Sequence, residues 1–190
     1  MKTKNRLSNV AGFDDAPFAR DYRGPVKIVG TVYADLRFDG VLVGEIRKDG
    51  FDAARRLAEM ISSSRFAGHI RLIMLQGIAF GGFNVVDVFE LNRRLELPVL
   101  VVSRRKPDME AVKKALIETM DQGRRKWEVI EKLGAMEKIC SVYVQRVGLS
   151  VDQAESVLDR FCIHGNIPEP VRTAHLIATA LENGQSRGHP

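Results

Sequence analysis

No apolar run in the 190 residues approaches the roughly 20 that a membrane-spanning helix needs. The first residues, MKTKNRLSNVAG, are basic but lack the apolar segment of a secretory signal, so a cytoplasmic location with no membrane partner is expected. Cysteine is scarce. Cys140 and Cys162 have no metal-ligand spacing and are expected to be buried thiols. There are no internal repeats and no low-complexity tract. Few aromatics interleave with the main basic stretch, so that stretch does not read as a base-stacking groove. The glycine-rich segment QGIAFGGFN, residues 76–84, lacks the lysine and hydroxyl of a P-loop and does not fit GxGxxG. No Ser/His/Asp or Cys/His arrangement can be argued from spacing.

What is present is a chain of ordinary globular composition, 45% hydrophobic, with a net charge of +5 and a pI near 9.4. One domain over 1–190 is expected, with flexible ends at 1–10 and 185–190. The charge is concentrated. Between Arg93 and Lys126 stand ten basic residues against five acids, a local excess equal to that of the whole chain. Clustered cations suit a polyanion, because neutralising phosphates releases counterions. Nucleic acid, DNA or RNA, is the expected partner. A solvated helical face laced with ion pairs is the alternative.

Residues 1–25 read as loop, with Asp14, Asp15, Pro17, Gly24 and Pro25 as turn formers. VKIVGTVYADLRFDGVLVGEI alternates and contains Asp39-Gly40, a hairpin signal, which predicts strands over 26–34 and 40–47. Apolar residues at i, i+3, i+4 spacing (Phe51, Ala54, Leu57, Ala58, Ile61) predict a helix after Asp52. A strand over 69–75 leads into the glycine segment. A helix capped by Asn84 follows, then a strand in LPVLVVS, helices over 108–120 and 124–132, and a strand in KICSVYVQRVG. Ser150 opens a capping-box helix, and a last helix over 170–182 stops at Gly184. This order gives a mixed sheet with helices on its faces. A ribonuclease-H-like arrangement has it, and so do other three-layer α/β folds.

Chemistry-bearing residues are few. Asp14 and Asp15 are adjacent carboxylates able to serve Mg²⁺, or to form a turn. Asp49 and Asp52 flank a strand-to-helix junction, where either can cap the helix. Gly77 and Gly81 permit close backbone approach to a phosphate. Gln76 stands where an α/β strand usually presents its functional group.

Three stretches together resemble a known family. IPEPVRTAHLIA is similar to the Pro-Glu-Pro-x-Arg segment of endonuclease V, RLIMLQGIAFGG to a strand ending in Asp-Gly, and LELPVLVVSRRK to the strand after it. More closely, most of residues 10–183 resembles the domain of unknown function 99 family, grouped with endonuclease V, through DDAPF, DGFDA and GGFNVVD. The resemblance implies a ribonuclease-H-like, endonuclease V-like α/β fold: a mixed sheet with helices on both faces. It places Val32 at the first-strand acid, Gln76 at the Asp-Gly acid, Arg104 near the family lysine, and His175 at a position that is histidine in some members. The strand-separating wedge is absent.

The resemblance therefore implies an endonuclease V-like, nucleic-acid-binding protein with the standard metal-binding acids lost and no cofactor required. Arg104, Arg105 and Lys106, with Gly77 and Gly81, would hold the backbone. Two alternatives stand beside it. One is a divergent Mg²⁺-dependent endonuclease with relocated acids: Asp15, Asp49, Asp52, Gln76 and His175 as catalytic residues, and Asp14, Asp15 and Asp49 as metal ligands. The other is a non-enzymatic protein whose basic face binds an acidic partner.

Overall fold

A computed structural model describes residues 7–186. Its first strand, β1 (Asn9–Asp15), runs through the segment that turn-forming residues predict to be loop. Alternation builds it. Ala11 and Phe13 enter the core on one face of the sheet, and Val10 enters the core on the other. Two glycines make room for the neighbours. A Cβ on Gly12 would stand 2.4 Å from the carbonyl carbon of Pro170, and one on Gly30 would stand 2.3 Å from the Phe13 ring. Turn-like composition here thus reflects close packing. Asn9 and Val10, expected in a flexible end, belong to this strand, and Val10 is buried. Of these ends, residues 1–6 and 187–190 lie outside the described residues.

β2 (Pro25–Ala34) and β3 (Arg37–Arg47) form the expected antiparallel hairpin, but its turn is Asp35-Leu36. Asp35 takes a φ of 60°, a conformation Asp tolerates. Asp39 is instead the extra residue of a β-bulge, where the partner of β2 jumps from Gly40 to Phe38. Gly40 allows the Phe66 ring to approach.

α1 (Ala53–Ser62) buries Ala54, Leu57, Ala58 and Ile61, as its spacing predicts. β4 (Leu72–Gln76) leads into the glycine segment, which folds back as a short ribbon of β5 (Ala79–Phe80) and β6 (Asn84–Val85). α2 (Val88–Leu95) is capped by Asp87, not Asn84. β7 (Val99–Ser103) is followed by α3 (Met109–Thr119), capped by Asp108, and by α4 (Gly123–Leu133). The single strand expected in KICSVYVQRVG is a hairpin, β8 (Glu137–Ile139) and β9 (Val142–Val147), turning at Cys140 with a φ of 51°. α5 (Val151–Phe161) carries the capping box of Ser150 and Gln153, and α6 (Glu169–Asn183) ends at Gly184.

Seven of the nine described strands form one sheet, ordered β3-β2-β1-β4-β7-β9-β8. β1, β4 and β7 are mutually parallel, and the outer pairings are antiparallel. α1 and α2 cover the face presented by Phe13, Ile73 and Leu75. α5 and α6 cover the face presented by Val10, Leu72, Met74 and Val102. α3 and α4 pack on the glycine segment through Leu116, Ile130 and Val85. This is the mixed α/β sheet with helices on both faces that the resemblance implies. Among the described residues no helix is long and apolar enough to cross a membrane.

Candidate active site at the ends of three parallel strands

Because β1, β4 and β7 run parallel, their carboxyl ends share one lip of the sheet, where α/β proteins place ligands. β1 ends in Asp14-Asp15, β4 in Gln76, and β7 in Ser103, followed by Arg104, Arg105 and Lys106. The first strand of the sheet therefore carries acids. Val32, which the resemblance placed at that position, lies in β2 and is buried in the core. The mismatch arose because β1 is hidden in sequence by glycine and turn-forming residues.

Consecutive strand residues point to opposite faces. Asp14 points toward α6, where its Oδ2 lies 2.8 Å from Nδ1 of His175. Its Oδ1 accepts the backbone N–H of Asp15 at 2.9 Å. Asp15 points the other way, and its Oδ2 accepts the N–H of Gly81 at 2.9 Å. Burial raises the pKa of Asp14, and His175 offsets part of that rise. Burial, and then repulsion from Asp14, raises Asp15 to about 7.

Phe13 of β1 pairs with Leu75 of β4, so one residue further along stand Asp14 and Gln76, side by side on the α6 face. Oε1 of Gln76 is buried and has no hydrogen-bond partner. An orphaned buried acceptor is costly and needs a reason.

The glycine segment is held by carboxylates. Besides the Asp15 contact, Asp49, at a φ of 54°, donates its N–H to the Gly81 carbonyl at 2.8 Å. Its Oδ1 accepts the Phe83 N–H at 2.8 Å. Gly82 is required here, since a Cβ would stand 2.3 Å from that Oδ1. Lys126 of α4, almost wholly buried, donates to the Asp49 carbonyl at 2.7 Å. Lys126 is an anchor, although charge counting had included it in the basic cluster expected to meet a polyanion. Asn84 does cap a helix, but it caps α1. Its Oδ1 accepts from the N–H groups of Asp52 and Ala53, and its amide nitrogen donates to Asp52 and to the Arg47 carbonyl. Asp52 is thereby committed to this junction, with Arg47 and Arg55 near its carboxylate.

The lip thus brings together Asp14, Asp15, Gln76, His175 and Gly81, with Asp49 behind the glycine segment and Asp52 in the α1 junction. Asp14, Asp15 and Asp49 do not converge: among the described residues no three His, Cys, Asp or Glu side chains form a group able to hold a metal ion. Strand alternation separates the first two, and Phe83 occupies the third. Arg104, Arg105 and Lys106 are exposed and make no ion pair among the described residues. Gly77, at a φ of 77°, lines an apolar cavity of about 210 Å³ with Ile78, Gly82, Phe83 and Ser103. The cysteines take no part. Cys140 is exposed, contrary to expectation, because it forms the β8–β9 turn. Cys162 is half-buried, and burial pushes its thiol up to about 12.

Comparison with known proteins agrees with this architecture. The sequence matches the model of the Endonuclease dU family over residues 6–182. It is 50% identical to a UPF0215 protein of Deinococcus radiodurans, over 96% of this chain and 93% of that protein. A crystal structure of an Archaeoglobus fulgidus protein of unknown function superposes with a TM-score of 0.86 at 37% identity, covering 93% of this chain and 99% of that one. The fold also matches Ciona intestinalis endonuclease V, solved with a 24mer DNA containing an inosine followed by a ribo-adenosine. That TM-score is 0.56 at 12% identity, covering 89% of this chain and 83% of the other. With almost its whole length matched, the chain belongs to the Endonuclease dU family.

Proposed function

We propose that this protein is a divalent-cation-assisted endonuclease that cuts DNA at a deaminated nucleoside, deoxyuridine. The observation that carries the reading is the acid pair at the end of β1, with the unpartnered amide oxygen of Gln76 beside Asp14. The donor set fits Mg²⁺, which prefers hard oxygen ligands, keeps several waters, and is bound through one or two carboxylates plus substrate phosphate. Asp14 and Gln76, side by side on one face of the sheet, would hold it together with substrate phosphate. When bound, the cation supplies an activated water and neutralises charge on the phosphodiester.

The chain's own groups do the rest. His175 fixes the orientation of the Asp14 carboxylate. The Gly81 N–H fixes Asp15, which also sets the glycine segment at the edge of the lip. Arg104, Arg105 and Lys106, at the neighbouring strand end, take up backbone phosphates. A base turned out of the stack has the apolar cavity beside Gly77 to enter. The family description, and the DNA held by a protein of the same fold, support a nucleic-acid substrate.

The test is nicking of labelled DNA carrying one deoxyuridine, one inosine or no lesion, with Mg²⁺, Mn²⁺ or EDTA. Nicking at deoxyuridine that requires a cation and is lost in Asp14→Asn and Asp15→Asn supports the proposal. Binding with no nicking under any condition overturns it. That outcome would favour a second reading, binding without cleavage, which rests on the lack, among the described residues, of three side chains grouped to hold a metal ion.

A further inference from the structure

The loop 16–24 leaves β1 directly after Asp15 and returns into β2. Its sequence, APFARDYRG, interleaves aromatic and basic residues, the pattern that is sparse in the larger basic stretch. Its base is fixed: the N–H of Ala16 donates to the Lys27 carbonyl, and the Ala16 side chain packs with Val29, Ala174 and Ala178. Lys48 ties down its crown, donating to the carbonyls of Arg20 at 2.7 Å and Tyr22 at 3.0 Å. The same ammonium stands 5.2 Å from the centroid of the Phe18 ring.

Tyr22 is 41% exposed, yet its position is specified. Its hydroxyl donates to the Pro25 carbonyl at 2.9 Å, and the ring lies over Gly24, where a Cβ would stand 2.2 Å from the hydroxyl oxygen. With Phe18, Lys27 and Glu182 it lines a cavity of about 300 Å³. Arg20 and Arg23 are exposed and make no ion pair among the described residues, although Asp21 lies between them and Lys27 is paired with Glu182. A single exposed aromatic needs no explanation. An exposed ring held by a hydrogen bond, with two anchored carbonyls and flanking guanidinium groups, is a prepared contact surface.

We infer that this loop is a strand clamp, on which a nucleobase flanking the cut site stacks against Tyr22 while Arg20 and Arg23 hold the adjoining phosphates. The inference rests on the nuclease reading above and names the element that grips the strand. Base–aromatic stacking and guanidinium–phosphate contact are the chemistry that single-strand binders use. The loop is continuous with Asp14-Asp15, so a strand held there passes the acid pair.

The test is fluorescence anisotropy of a labelled single-stranded DNA oligonucleotide in EDTA, where nothing is cut, with an oligonucleotide of abasic sites as control. Tyr22→Ala is expected to bind the first about tenfold more weakly and the abasic control unchanged, with Tyr22→Trp close to the parent. Arg20→Gln with Arg23→Gln is expected to lower the salt slope by about 1.4, for two single-strand phosphates. Thermal melting of each variant checks the fold. Parental affinity and salt slope in both the Tyr22→Ala and the double variant would overturn the clamp. If that result comes with intact nicking at deoxyuridine, only the clamp fails. If the parent binds and the variants show these losses, but the parent never nicks, only the nuclease reading fails. If the parent does not bind, both fail.

Discussion

Asp15→Asn should stabilise this protein in a pH-dependent way. Asp15 has a pKa raised to about 7 in the folded state, against 3.8 for an unperturbed carboxyl. Between those values the folded protein holds a proton that the unfolded chain has released. Stability therefore falls as pH rises through that window and levels off above it. A separation of about three pH units corresponds to about 4 kcal/mol at full expression. Asparagine can still accept the Gly81 N–H, but its amide nitrogen then needs a partner, which takes back about 1 kcal/mol. The net gain expected at about pH 8 is roughly 2–3 kcal/mol, or about 5–10 °C in melting temperature for a chain of this size. It should vanish by about pH 4. Asp14 is raised in the same direction, so the midpoint belongs to the pair. The assay is thermal melting of parent and variant in EDTA across this range. A variant less stable than the parent by the same margin at every pH would refute the reasoning, since the buried charge would then cost nothing. A variant that is more stable but inactive would show that the acid pair is kept at the expense of stability.

Asn84→Ala should lower stability by about 2–3 kcal/mol, because it orphans the Asp52 and Ala53 N–H groups at the start of α1 and removes one donor to the Asp52 carboxylate; chemical denaturation measures this. Arg104→Gln with Arg105→Gln should weaken binding to every duplex alike and lower the salt slope by about 1.8, read from affinities at several salt concentrations. Gln76→Asp places a third carboxylate beside Asp14. It should lower the EDTA melting temperature by about 3 °C, that is by about 1 kcal/mol or more. Mg²⁺ should raise its melting temperature by more than it raises the parent's, because a cation that binds only the folded state stabilises it.

Local pattern alone specified much of this molecule. The face of α1, the Ser150 capping box, Asp108 ahead of α3 and the Gly184 stop are set by residues within a turn or two of one another, and each stands where its spacing predicts. The Asp14-Asp15 pair was visible as two adjacent acids, but the resemblance had put Val32 at the first-strand acid, so the place of the pair beside Gln76 and His175 was decided by the fold. Only the tertiary structure showed that residues 9–15 form a strand, because what Gly12 in it and Gly30 beside it accommodate, Pro170 and Phe13, is brought there by the sheet and by α6. It alone moved the hairpin turn from Asp39-Gly40 to Asp35-Leu36, assigned Asn84 to the helix before it, and buried Lys126 against Asp49. The chemistry of the lip was decided there too. A carboxylate's proton affinity depends on burial and on what faces it across the fold, and neither is a property of its neighbours along the chain.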